Sequence, residues 1–224
     1  MKIVIASNRS WTDNFASTLE QRLGATVVRV YNAAELDQTL LLSSPNWVFF
    51  PFWSFRIKES ILTDYNCVSF HMTDLPFGRG GSPLQNLISR GIYKTMISAF
   101  KPSNEMDAGP IFLKRPLELK GKASEIFKFA STIILEMIIE IVQRDPVPTE
   151  QSGAIEVFPR RKPEQSQIPA MLELNQLYDH IRMLDCEGYP TAFFEHSGYR
   201  FEFRNAELGT DCLTTEVTIK KMES

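Results

Sequence analysis

Residues 25–53 read ATVVRVYNAAELDQTLLLSSPNWVFFPFW, and their hydrophobic period changes twice. The β-branched run at 25–31 predicts a strand, Ala33 to Leu42 is helix-forming, and the aromatic run from Trp47 to Trp53 predicts a second, buried strand. Working outward, Lys2 to Ala6 is another apolar strand, and Phe15, Leu19 and Leu23 recur at helical spacing behind it. On the other side, Ile57 to Leu62 predicts a short helix and Cys67 to His71 a further strand. Alternation of this kind predicts an α/β domain, a mainly parallel sheet covered by helices on both faces.

Further along, Ser82 and Pro83 form a helix-start pair, a hydroxyl cap followed by proline at the first helical position. Tyr93 to Phe100 and Ile111 to Leu119 predict two strands joined by KPSNEMDAGP, whose Asp-Ala-Gly-Pro ending forces a tight turn. Lys122 to Arg144 predicts a long helix. Residues 145–169 are rich in proline, charge and glutamine and read as a surface connection. Leu174, Leu177, Ile181 and Leu184 then lie at helical spacing, and His196-Ser197-Gly198 is a hairpin signal between strands at 191–195 and 199–204. Residues 214–220 alternate as well. The division expected is a catalytic domain at 1–150, a connection at 151–170 and a small C-terminal element of one helix and antiparallel strands at 171–224.

With 43% hydrophobic residues, 23% charged residues and a net charge of −3, the chain has the make-up of a soluble globular protein. Nothing in that balance asks for a polyanion, so no nucleic-acid partner is expected. The run Ile133 to Val142 is interrupted by Glu136 and Glu140 and falls short of the roughly 20 apolar residues a bilayer requires, so no membrane partner is expected either. The opening MKIVIAS is too short an apolar run for a signal peptide. Three scattered cysteines suggest neither a disulfide framework nor a zinc site, and a reducing cytoplasm is the simplest home.

The chemistry concentrates in FHMTDLPFGRGGSPLQ, residues 70–85. Ligands of open parallel sheets sit beyond the carboxyl ends of the strands, and His71 ends one. Gly80 and Gly81 permit close approach of a ligand, and the helix starting after Ser82 offers amides to an anion or a carbonyl. The run is neither a phosphate-binding loop nor a dinucleotide fingerprint. A histidine after an apolar strand is more often structural than catalytic, and Asp107 taken alone is equally well an ordinary turn aspartate. Together they are the pair that orients an imidazole and moves a proton. His180 and His196 lack such a partner and read as structural or exposed.

In order and chemistry, His71, Leu75-Pro76, Arg79-Gly80, Pro83-Leu84 and Met106-Asp107-Ala108-Gly109-Pro110-Ile111 resemble the formyltransferase family that uses 10-formyltetrahydrofolate. The resemblance covers the chain ahead of the proline-rich connection and implies a Rossmann-like catalytic domain. It also implies direct transfer without a metal. An amine attacks the formyl carbon, His71 stabilises the tetrahedral oxyanion, and Asp107 helps remove the amine proton. Phe52, Trp53 and Ser54 resemble the segment that holds the pterin, and Asn104, Glu105 and Met106 the turn that closes over it.

The family's Asn-x-His appears here as Ser69-Phe70-His71. Ser69 is then a substitute donor, a position covered by a backbone amide or water, or a sign of weakened activity. The short tail, with Arg160-Arg161-Lys162-Pro163 and RMLDCEGYPTAFF at 182–194, resembles the sugar N-formyltransferase branch and its pseudaminic-acid type. That implies a nucleotide-linked 4-amino sugar as acceptor, with Asn8, Arg9, Arg79, Gly80 and Gly81 as substrate contacts. Arg79 equally well ties its loop to a carboxylate. The alternatives are activity on methionyl-tRNA and a catalytically silent folate- or nucleotide-binding protein. The tail's antiparallel strands are a candidate homodimer surface.

Overall fold

The computed structural model describes residues 1–222, so the last two positions of the expected 171–224 element lie outside the described residues. The chain forms two compact units that interleave in sequence. One comprises Met1–Gly80, Thr95–Leu117 and Lys128–Val157, and the other Gly81–Lys94, Glu118–Phe127 and Phe158–Ser224. No helix among the described residues is long and apolar enough to cross a membrane.

The first unit is built on a six-stranded sheet. Its strands are β1 (Lys2–Ala6), β2 (Thr26–Val30), β3 (Trp47–Phe50), β4 (Cys67–His71), β6 (Lys94–Phe100) and β7 (Ile111–Glu118), in the order β2-β1-β3-β4-β6-β7. The pairs β1–β2, β1–β3 and β3–β4 are parallel, and β6 runs antiparallel to β4. The expected mainly parallel α/β sheet is therefore present.

Ile3 to Ala6 and Val48 to Phe50 are almost fully buried, which is why those strands read as continuous apolar runs rather than alternating ones. Helix α1 (Phe15–Leu23) buries Phe15 and Leu19 and stops at Gly24, whose φ of 60° is left-handed. Helix α2 (Ala33–Leu42) starts at Asn32, whose side chain accepts from the Glu35 amide at 3.0 Å. With α3 (Glu59–Asp64), α2 covers Val4, Ala6, Val30, Val48 and Phe50. The charges that interrupt the apolar run of α5 (Ala123–Arg144) are both paired, Glu136 with Arg22 and Glu140 with Arg115 and Arg144. That leaves Ile134, Met137, Ile138 and Ile141 for the core.

The connection at 145–169 is ordered. Thr149 bridges Ile111, and the Glu156 carbonyl accepts from the Arg79 amide at 3.0 Å next to the short β5 (Arg79–Gly80) and β8 (Val157–Phe158).

In the second unit, β9 (Ala192–His196), β10 (Tyr199–Leu208) and β11 (Leu213–Lys221) form an antiparallel sheet beside α6 (Leu174–Arg182). Ser197 and Gly198, with φ of 50° and 78°, make the expected tight hairpin. Arg182, 4% exposed, donates to Asp179 at 2.7 Å and to the carbonyls of Leu119 and Gly121 at 2.9 and 2.7 Å.

The start of α4 (Pro83–Ile88) differs from expectation. Ser82 has a left-handed φ of 50° and makes no side-chain cap; its hydroxyl accepts instead from the Arg161 amide at 3.1 Å. The Asn86 amide group donates to the carbonyls of Gly81, Ser82 and Pro159. The space beside Gly81, expected to admit a ligand, is occupied by the chain's own backbone, since a Cβ there would lie 2.5 Å from the Cα of Arg160.

Candidate active site

Strand β1 lies between β2 and β3, so the chain leaves it in one direction first and returns on its other side. Such a switch point opens a crevice beyond the carboxyl ends of β1 and β3, where open sheets take ligands. The loop after β1 supplies Asn8, which is exposed, and Arg9, whose guanidinium lies 5.6 Å over the Trp11 ring. Trp11 in turn meets Phe52, from the end of β3, edge-on at 5.7 Å. Phe52 has a left-handed φ of 55°, a strained conformation for an aromatic residue and one that turns the chain sharply after the strand. Trp53 is half-buried, its indole Nε1 enclosed without a hydrogen-bond partner among the described residues, and Ser54 is exposed.

His71 ends β4 and is 8% exposed. Its Nε2 is 2.8 Å from the Gly78 carbonyl oxygen, which only accepts, so Nε2 carries the proton. Its Nδ1 lies 3.7 Å from Oδ2 of Asp107. That edge is a lone pair in the neutral ring and a donor facing a carboxylate in the charged ring. Thr73 and Ser98 brace the loop from beneath, Ser98 donating to the Thr73 carbonyl at 2.8 Å and accepting from the Leu75 amide at 3.3 Å. The two residues that the sequence pairs through chemistry alone are thus neighbours in space.

Asp107 comes from the turn between β6 and β7. The turn is tight because Gly109 packs on the Lys101 carbonyl, where a Cβ would come within 1.8 Å of the oxygen. Asp107 itself is left-handed, with φ of 52°, and its Oδ2 accepts from the Gly80 amide at 2.9 Å. Gly80 therefore contributes a backbone donor to the acid.

Arg79, 8% exposed, is held by residues from two distant segments of the chain. It donates to Gln151 Oε1 from Nε at 3.1 Å and Nη2 at 2.8 Å, and to Glu105 at 3.0 Å. Of its two sequence readings, substrate contact and carboxylate tie, the second describes these bonds. Asn104 donates to Glu59 at 2.9 Å and Glu105 accepts from Arg79 at 3.0 Å, so Met106, 69% exposed, is the apolar side chain that the 104–106 turn offers outward. Ser69 shares His71's face of β4, is half-buried, and lies opposite Phe50 and Phe100 in the sheet. Gln151 was not found from the sequence. It is one glutamine in a polar connection that also holds Gln165 and Gln167, and no local signal separates it from them.

A family model described as the C-terminal domain of methionyl-tRNA formyltransferase matches residues 163–220. A solved structure described as methionyl-tRNA formyltransferase from Clostridium thermocellum is 46% identical, covers 99% of both chains and superposes with a TM-score of 0.95. A methionyl-tRNA formyltransferase from Lactobacillus delbrueckii subsp. bulgaricus is 26% identical over 82% of this chain, and this chain spans 60% of that relative's length. A structure of HypX from Aquifex aeolicus in complex with tetrahydrofolic acid has the same fold, with a TM-score of 0.74 at 18% identity over 92% of this chain and 38% of that one.

These matches overturn the expected sugar acceptor and, with it, the expectation of no nucleic-acid partner. Most of the tail that resembled the sugar N-formyltransferase branch, residues 163–220, is the part that matches the methionyl-tRNA formyltransferase C-terminal domain. Net charge misled because it sums over the whole surface, whereas polyanion contacts depend on local groups. With the strand-end histidine, the turn aspartate and 46% identity along the full length of both chains, this chain belongs to the methionyl-tRNA formyltransferase-like family of formyltransferases.

Proposed function

We propose that the protein transfers a formyl group from 10-formyltetrahydrofolate to the amino group of methionyl-tRNA. The observation that carries this reading is the 46% identity over 99% of both chains with the Clostridium thermocellum methionyl-tRNA formyltransferase. The match of residues 163–220 to the C-terminal domain model supports it.

The residues at the carboxyl ends of β1 and β3 suit a flat, polar-edged ring such as a pterin. Phe52 and Trp53 offer aromatic surface beside the exposed Ser54, and the enclosed Trp53 Nε1 has no hydrogen-bond partner among the described residues. Phe52, Trp53, Ser54 and Met106 would hold the folate, which supplies the formyl group when bound. Asn8 and Arg9 would lie toward the acceptor.

Asp107 takes the proton from the attacking amine, and the departing folate nitrogen takes up a proton as its bond to the formyl carbon breaks. The Asp107 carboxylate is fixed by the Gly80 amide at 2.9 Å, so it loses little freedom when it acts. His71 is anchored through Nε2 to Gly78 and turns Nδ1 toward the acid at 3.7 Å. In its charged form that edge donates to the negative charge developing on the formyl oxygen, a contribution of about 3 kcal/mol for one well-aimed donor. Ser69, shorter than an asparagine, lies on the same face two residues back.

The test is direct. Protein incubated with formyl-labelled 10-formyltetrahydrofolate and methionyl-tRNA is expected to give labelled formylmethionine after mild base hydrolysis of the tRNA ester. No label on the amino acid, with tight folate binding retained, would replace this function with that of a silent folate-binding protein.

A further inference from the structure

We infer that Gln151 is a positioning residue for Asp107, an inference that rests on the formyl-transfer reading above. The side-chain amide of Gln151 has two N–H donors and an oxygen with two lone pairs, and all four are used. Nε2 donates to the carbonyls of Asp107 and Gly109, each at 2.8 Å. Oε1 accepts from Nε and Nη2 of Arg79 at 3.1 and 2.8 Å.

The partners also fix which way round the amide lies. Two carbonyls require the nitrogen on one side, and a guanidinium requires the oxygen on the other. Among the natural side chains, only a carboxamide of this length presents both ends at once. A carboxylate would satisfy Arg79 but set an oxygen against two carbonyl oxygens.

These bonds close a ring around the acid. From Asp107 O the path runs through Gln151 to the Arg79 side chain, along the backbone to Gly80, and from the Gly80 amide back to Asp107 Oδ2 at 2.9 Å. Asp107 is therefore gripped by its main chain and its carboxylate together, in the left-handed conformation that a non-glycine residue keeps only under constraint. The same carboxylate oxygen faces His71 Nδ1 at 3.7 Å, so a rotation of the turn moves the acid away from the imidazole.

Gln151→Met is expected to lower kcat by about thirtyfold while leaving the folate KM within about twofold, because a small misplacement of a reacting group acts on the chemical step. Gln151→Glu is expected to lose as much. Added to Asp107→Asn and followed in single turnovers, Gln151→Met is expected to cost less than about threefold more, since it acts through a group already removed.

Native-state hydrogen exchange supplies a readout independent of turnover. The Gly80 amide should exchange roughly tenfold faster in Gln151→Met while the amides of β1 and β3 keep their protection. Losses that multiply in the double variant, full activity in Gln151→Glu, or unchanged Gly80 exchange would each overturn the assignment. If the wild-type protein formylates no amine, the function proposed above fails and the exchange result alone decides the role of Gln151.

Discussion

Each unit contains an arginine tied to a carboxylate and to backbone carbonyls through a short network, and the two networks differ in what they leave open. In the second unit, Arg182 is enclosed by Asp179, Leu119 and Gly121, and Tyr93 closes the arrangement by donating to Asp179 at 2.6 Å. That bond, with burial behind it, raises the Tyr93 hydroxyl above its ordinary value. Every charge there is satisfied internally. In the first unit, Arg79 and Gln151 hold Asp107 in a strained turn beyond the sheet, with its side chain 19% exposed and directed at His71. An arginine–carboxylate pair alone therefore does not mark a site. What sets the first unit's network apart is the contact of Asp107 with His71 at the end of β4, with one edge of the carboxylate held by the Gly80 amide and its side chain still partly exposed.

The contrast between the two networks makes measurable differences. Arg182→Met should have the largest effect, a loss of about 3 kcal/mol or more in denaturant unfolding, because it leaves Asp179 and two carbonyls buried without their donor. A loss below about 1 kcal/mol would mean the network is not structural.

Asp107→Asn should do the reverse, lowering formyl transfer by about a hundredfold, with unfolding shifted by less than about 1 kcal/mol. A comparable loss of stability would erase the distinction between the two networks.

A smaller effect is expected from His180, whose Nε2 meets the Ser166 carbonyl at 3.1 Å. Burial, outweighing that bond and aided by the nearby Arg161 charge, lowers its pKa below the ordinary 6.5. The unfolded chain then binds a proton near 6.5 that the folded chain takes up only at lower pH. Stability should be complete above 6.5 and decline as pH falls through the window beneath it, and His180→Asn should remove that slope. A slope unchanged in the variant would assign the proton elsewhere.

The smallest effect is expected at the surface. Lys220→Ala, which removes a pair with Glu202 at 2.7 Å on the antiparallel sheet, should change stability by less than about 0.5 kcal/mol.

The layered architecture was legible in the residues alone, and so was the choice of His71 and Asp107 as the candidate pair. Strand and helix periods are local properties, so the alternation at 25–53 predicted β2, α2 and β3, and the Asp-Ala-Gly-Pro signal predicted the turn between β6 and β7. The order of His71 and Asp107 was also legible, because both residues sit in punctuated loops. The folded chain was needed to see that Gln151 grips Asp107, that Arg79 turns to Gln151 and Glu105, and that Ser82 accepts from Arg161 rather than capping its helix. The proton on Nε2 of His71 is likewise set by the carbonyl of Gly78, which the loop brings against the ring. Those bonds join positions far apart in the chain, and hydrogen bonding depends on distance and angle rather than on neighbouring residue types, so no local pattern could announce them.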